Sequence, residues 1–132
     1  MAEWLFVYGT LRPGSGHPMS RWLAAHTHLL GSARVPGWLC RISYYPGMMP
    51  GAGWVRGEVL ALEPVDAAET LAALDAFELC HWRDDDEFRR ERHPVTLDDG
   101  RVGEAWIYWY RGNTQGLERV ESGDWLASPA GP

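Results

Sequence analysis

At 132 residues and 45% hydrophobic content, the chain is long enough to bury one core without a metal or disulfides. The net charge is -6 and all 12 basic residues are Arg, which excludes a basic surface that could track a phosphate backbone and makes nucleic acid an unexpected partner. Cys40 and Cys80 cannot build the dense disulfide framework of a small secreted domain, and no apolar run approaches the ~20 residues needed to span a bilayer, so a cytoplasmic protein with reduced thiols and no membrane partner is expected.

With 15 Gly and 9 Pro, the composition favours short strands joined by turns over a helical bundle. The whole chain, 1–132, is expected to form a single domain, with about 127–132 as a flexible tail. Trp4 to Tyr8 is too short for a helix and rich in β-branched and aromatic residues, so it reads as a central strand buried on both faces. It ends abruptly in Gly9-Thr10-Leu11-Arg12-Pro13-Gly14. Gly9 lets a ligand approach the main chain, Thr10 adds a hydroxyl, and the amides of residues 9 to 12 are expected to converge on an oxygen or anion. An ordinary strand-to-loop turn is the competing reading.

Pro18 opens a short helix through Ala25. From Leu29 to Ile42 the pattern is strand-like, with an interruption at Pro36-Gly37 that predicts two short strands and a bend or bulge at Gly37. Tyr44 to Gly51 reads as an irregular segment whose two Tyr and two Met either line a pocket or cap one end of a barrel. Trp54 to Leu62 returns to a strand pattern, with Gly57 marking a bulge or a close backbone approach.

Val65 to Phe77 carries the clearest helical signal, rich in Ala and Leu with Asp66 and Glu69 near its positive end. Its apolar stripe runs through Ala67, Leu71 and Leu74, and the same spacing lands next on Glu78. Burial and the negative end of the helix dipole both disfavour the ionised carboxylate, so a raised pKa is expected, as general acid-base chemistry requires. Periodicity alone leaves two readings open: this poised acid, or a glutamate carried past the helix end into water or held by an Arg.

Asp84-Asp85-Asp86-Glu87 reads as a solvated loop that pairs internally with Arg89, Arg90 and Arg92, and carries no function. Asp98-Asp99-Gly100-Arg101 predicts a hairpin between Phe88–Leu97 and Val102–Arg111, the second strand being apolar on both faces. In the tail, Leu117, Val120, Trp125 and Leu126 are expected to pack back on the body. His26 and His28 would point the same way on a strand, a two-ligand pattern too sparse for a metal site, and neither Cys40 nor Cys80 lies in a nucleophile signature. The exposed members of the Trp set are candidates for a self-association patch, and the oligomeric state is left open.

Phe6-Val7-Tyr8-Gly9-Thr10-Leu11-Arg12, Val55-Arg56-Gly57-Glu58-Val59, and Leu74-Asp75-Ala76-Phe77-Glu78 followed by Phe88-Arg89-Arg90 together resemble the gamma-glutamylcyclotransferase-like family, in order and in spacing. Asp98-Asp99-Gly100, Ala105-Trp106-Ile107-Tyr108 and Ser122-Gly123-Asp124-Trp125 are similar to its closing elements, so the resemblance covers nearly the whole chain. It implies an α+β fold, a small mixed β-barrel flanked by a few helices, working with no metal and no organic cofactor. It further implies that Tyr8, Gly9, Thr10 and Leu11 hold a γ-glutamyl group and that Glu78 is the catalytic acid-base. The activity implied is cofactor-independent cyclisation of a small γ-glutamyl substrate to 5-oxoproline, with release of an amine or amino acid. The alternative is a non-catalytic module that binds a γ-glutamyl or amino-acid ligand in the same cavity. Two departures stand out: Phe88, where the family often has Tyr, and Leu79-Cys80-His81-Trp82, which lacks the commoner glycine.

Overall fold

The computed structural model describes residues 3–78, 80 and 83–127. Leu79, His81, Trp82 and the tail 128–132 named above lie outside the described residues.

The opening run forms β1 (Trp4–Val7), which pairs antiparallel with β3 (Pro46–Leu62) and parallel with β5 (Val102–Tyr110). β3 pairs antiparallel along β2 (Thr27–Arg41), β2 meets β4 (Phe88–Leu97) through Ala33 and Arg34, and β4 pairs along β5. The path β1–β3–β2–β4–β5 therefore returns to β1 and closes a barrel, with a single pair, Met48 to Trp109, joining β3 to β5 at the other end. A short β6 (Glu118–Arg119) adds to β2, and a 3-10 helix at Trp125–Ala127 follows. Ala127, expected to begin the flexible tail, thus belongs to ordered structure.

Because strand side chains alternate, β1 serves two cores. On β1, Phe6 points into the barrel with Val35, Val59 and Ile107, and the adjoining Tyr8 shares that interior. Leu5 and Val7 face outward into a second cluster with Leu23, Leu60, Leu74 and Tyr108, beneath α1 (Pro18–Ala24) and α2 (Ala67–Phe77). This explains the unbroken apolar run. Val120 and Trp125 join the barrel interior, so the closing segment does pack back on the body. Among the described residues no helix is long and apolar enough to cross a membrane.

Three local expectations need correction. Residues 27–41 form one strand, with the Pro36-Gly37 interruption reduced to a register shift between Pro36 and Trp38. The stretch from Tyr44 is irregular only to Tyr45, since β3 begins at Pro46 and its residues Gly47, Met48 and Met49 pair with Cys40, Leu39 and Trp38. Proline is tolerated as the first residue of a strand, which is why composition suggested a loop where a ladder forms. In α2 the buried face is Thr70, Leu71 and Leu74, and Val65 lies outside the helix, 89% exposed.

Gly57 sits opposite the end of β1. A Cβ there would lie 2.1 Å from the carbonyl oxygen of Val7, so the close backbone approach read from the sequence is what the fold uses. Among the described residues Trp38 and Trp54 are the exposed tryptophans, each covered on one face by an arginine, Arg119 and Arg34 respectively.

Candidate active site

A cavity of about 200 Å³ opens where β1 ends. Its wall is drawn from the loop Tyr8 to Leu11, the β2–β3 turn at Tyr44 and Tyr45, and the carboxyl end of α2 at Phe77 and Glu78. The entry to β4 at Glu87 and Phe88, together with Tyr108, completes it. Tyr8, Gly9, Thr10, Leu11 and Glu78, far apart in the chain, thus face one space.

The loop is held from behind. Its turn closes by Arg12 N donating to Gly9 O at 3.0 Å, and Ser15 Oγ donates to Thr10 O at 2.5 Å. The Arg12 side chain is buried and donates through Nε and Nη2 to both Glu58 oxygens at 2.8 Å, and through Nη1 to Asp124 at 2.7 Å. Burial alone would lower the guanidinium pKa, but hydrogen bonds and charge from Glu58 and Asp124 raise it. Glu58 is opposite Val7 in the β1–β3 ladder, so the first strand, the loop and the late Ser122–Asp124 turn are tied at one point.

Of the four amides expected to converge, that of Arg12 is spent inside the turn. Among the described residues, those of Gly9, Thr10 and Leu11 have no protein acceptor. Gly9 is required by packing: a Cβ would lie 2.7 Å from Cγ of Pro46 across the cavity wall. Tyr8 contributes as a strut, its hydroxyl donating to Tyr108 O at 2.6 Å and accepting from Met48 N at 3.2 Å. Burial, followed by the charge of Glu78, pushes its phenol pKa up, so the hydroxyl stays protonated.

Glu78 is the carboxyl cap residue of α2, its amide donating to Leu74 O at 2.9 Å. Its bond to Leu74 continues the last helical turn, and the side chain lines the cavity half-buried. Burial first, and the neighbouring Glu87 second, push its pKa from 4.5 up to about 7. One turn earlier, Asp75 accepts from Arg90 Nε at 2.8 Å and Nη2 at 3.0 Å, and from the Tyr108 hydroxyl at 2.7 Å. This cluster pins the helix end to β4 and β5.

Two residues escaped the sequence reading. Glu87 belongs to the cavity wall, where its Oε1 accepts the Tyr45 hydroxyl at 2.5 Å. Arg90 pairs with Asp75 on α2, and Arg92 with Glu3, partners that lie outside the acidic run. Only the step from Glu87 directly into the apolar Phe88 hinted at the first, because the β4 ladder begins there. Cys40 and Cys80 are buried away from the cavity, and burial raises the Cys40 pKa, as suits packing residues. His26 pairs with Asp66 and His28 with Glu63. Among the described residues no cluster of three or more His, Cys, Asp or Glu is arranged to hold a metal ion.

Residues 5–127 match the family model described as gamma-glutamyl cyclotransferase, AIG2-like. The gamma-glutamylcyclotransferase family protein YtfP of Escherichia coli K12 is 37% identical over 123 residues, which are 92% of this chain and 95% of that protein. The solution NMR structure of the Escherichia coli protein superposes with a TM-score of 0.61 at 34% identity, covering 94% of this chain and 96% of that one. An AIG2-like protein from Mus musculus gives a TM-score of 0.69 over 91% of this chain and 86% of its own, where 23% identity makes the likeness one of fold.

Proposed function

The chain belongs to the gamma-glutamyl cyclotransferase, AIG2-like family, and from that premise we propose that it cyclises a γ-glutamyl amide to 5-oxoproline, releasing an amine or amino acid. The observation that carries the reading is the shared cavity of Glu78 and the Tyr8–Leu11 loop, with the carboxyl group poised near 7. A carboxylate in that range both takes and returns a proton near neutrality.

Ionised Glu78 removes a proton from the substrate's α-ammonium, and the freed amine attacks its own γ-carbonyl carbon. The carbonyl oxygen gains negative charge as the five-membered ring closes. The amides of Gly9, Thr10 and Leu11 are the donors available to hold the glutamyl head and that oxygen. Glu78 returns its proton to the departing nitrogen as the old C–N bond breaks. Two protons leave the α-nitrogen and two reach the leaving amine; the second exchanges through solvent. No enzyme nucleophile is needed, since attacker and target share one molecule. Folding the substrate into a reactive conformer supplies up to ~7–11 kcal/mol in favourable intramolecular cases.

The test is release of 5-oxoproline from a panel of γ-glutamyl amino acids, γ-glutamyl amines and glutathione. Turnover by the wild type that falls by about 100-fold or more in Glu78→Gln supports the reading. Tight binding of the panel without turnover would establish a binding module instead.

A further inference from the structure

His17 caps the amino end of α1, at a position where Ser, Thr, Asp and Asn are the preferred residues. Its Nδ1 accepts the Met19 amide at 3.0 Å, so that nitrogen carries no proton and the ring proton sits on Nε2, at the far edge of the imidazole. A serine could supply the cap alone. What histidine adds is a second nitrogen, a donor held in one tautomer.

The ring lines the cavity that holds Glu78, and it meets Phe77, the residue before Glu78, edge-on at 5.5 Å. Its backbone is fixed from both sides, the amide donating to Ser15 Oγ at 3.2 Å and the carbonyl accepting Ser20 N at 3.0 Å. Ser15 in turn donates to Thr10 O at 2.5 Å, so the imidazole is tied to the loop that forms the facing wall. Among the described residues Nε2 has no protein acceptor.

The cavity otherwise carries charge of one sign. Glu78 and Glu87 line it, among the described residues no arginine does, and the chain has no lysine. His17 is the one basic side chain in that described wall. A γ-glutamyl head brings a carboxylate on the same carbon as the ammonium that Glu78 deprotonates, so this carboxylate lies beside the end of α2. Set among acidic side chains and away from bulk water, it requires a donor.

We propose that His17 Nε2–H receives the α-carboxylate of the glutamyl head, which sets the α-nitrogen against Glu78 and leaves the loop amides for the γ-carbonyl oxygen. The inference rests on the cyclotransferase reading and adds a substrate-binding residue to it. Because the Met19 amide occupies Nδ1, His17 acts as a donor and takes no proton from the substrate.

The test uses the full chain and two pairs of ligands that differ at the α-carboxylate. One pair is the panel substrate turned over fastest and its α-carboxamide, read by kcat/KM; the other is 5-oxoproline and 5-oxoprolinamide, read by calorimetric Kd. His17→Ser keeps a capping oxygen, removes the far nitrogen, and is expected to melt within a few degrees of the wild type. It should weaken the acid of each pair by about fivefold or more beyond its effect on the carboxamide, since a hydrogen bond to a charged acceptor is roughly twice as strong as one to a neutral acceptor. His17→Thr repeats the measurement with a second capping residue. A general loss from a displaced Phe77 or Glu78 acts on both members of a pair and cancels in the ratio. Equal weakening of acid and carboxamide in these variants overturns the role of His17 and leaves the cyclotransferase reading standing. Absence of wild-type turnover across the panel overturns that reading, while the 5-oxoproline pair still decides the role of His17. Neither turnover nor binding of 5-oxoproline by the wild type overturns both.

Discussion

The Tyr108 hydroxyl donates to Asp75 Oδ1 at 2.7 Å, joining a barrel strand to the helical turn that precedes Glu78. Arg90 grips the same carboxylate with two nitrogens, and the pair is largely buried, 11% and 13% exposed. Asp75→Asn leaves that guanidinium without its counter-charge and is expected to destabilise the fold by about 3 kcal/mol, read by urea denaturation. Tyr108→Phe removes one hydrogen bond and keeps the ion pair, so a loss of about 1 kcal/mol is expected. Both variants should lower turnover out of proportion to their stability, since each frees the turn that aims Glu78.

Glu78 links activity and stability to pH in opposite senses. In the proposed mechanism Glu78 acts as a base only when ionised, so kcat/KM is expected to rise with pH through about 7. Its folded pKa lies above the unfolded value, so between 4.5 and about 7 the native state binds more protons and stability falls as pH rises. By pH 8 the ionised group costs the fold on the order of 3 kcal/mol, at ~1.4 kcal/mol per pH unit of displacement. Glu78→Gln should therefore lose activity and gain melting temperature at pH 8, with little gain at pH 4. Melting curves of the two proteins at both pH values check this.

Arg12 holds the loop through two carboxylates. Arg12→Met would leave Glu58 and Asp124 without their cation, and a loss of about 3–5 kcal/mol is expected in equilibrium unfolding. Burial favours a raised Asp124 pKa, but the hydrogen bond and charge from Arg12 outweigh it and hold the carboxyl below the usual aspartate range. That contribution is present above the unfolded value, about 4, and is lost as pH falls through the lower folded one. In Arg12→Met the acid dependence of stability in this window should flatten.

Two glycines separate folding from function. Gly9→Ala sets a methyl group 2.7 Å from Pro46 Cγ, which one of the two walls must absorb. Stability should fall by about 1–3 kcal/mol. The loop amides shift with the wall, so kcat/KM should fall by about tenfold or more. Gly57→Ala meets a backbone carbonyl at 2.1 Å, in the ladder that seats β1, and is expected to yield no folded protein on expression.

Legibility in the sequence followed the range of the interaction. The two-faced first strand, the Asp98–Arg101 hairpin and the buried Leu71 and Leu74 of the second helix are local patterns, and each is where periodicity put it, whereas periodicity alone left Glu78 open between a poised acid and a solvated or Arg-held one. The strand start at Pro46 was hidden because its reason is the partner, Leu39 and Cys40 across a turn, while its own residues look like a loop. Glu87 was hidden by company: three aspartates precede it, yet the ladder that begins at Phe88 turns it toward a cavity those neighbours do not line. Arg90 was misassigned for the same reason, its partner lying 15 positions back on a helix.

The position of β1 between β3 and β5 has a consequence for biosynthesis. β1 is made before both strands that flank it, so its apolar residues wait, unsheltered, until those later strands are translated. Until the fifth strand emerges, the nascent protein displays a sticky sheet margin of the kind chaperones shield. Folding dominated by such distant pairings is slow, in the millisecond-to-second range, and fragments ending before Val102 should aggregate instead of forming a smaller barrel.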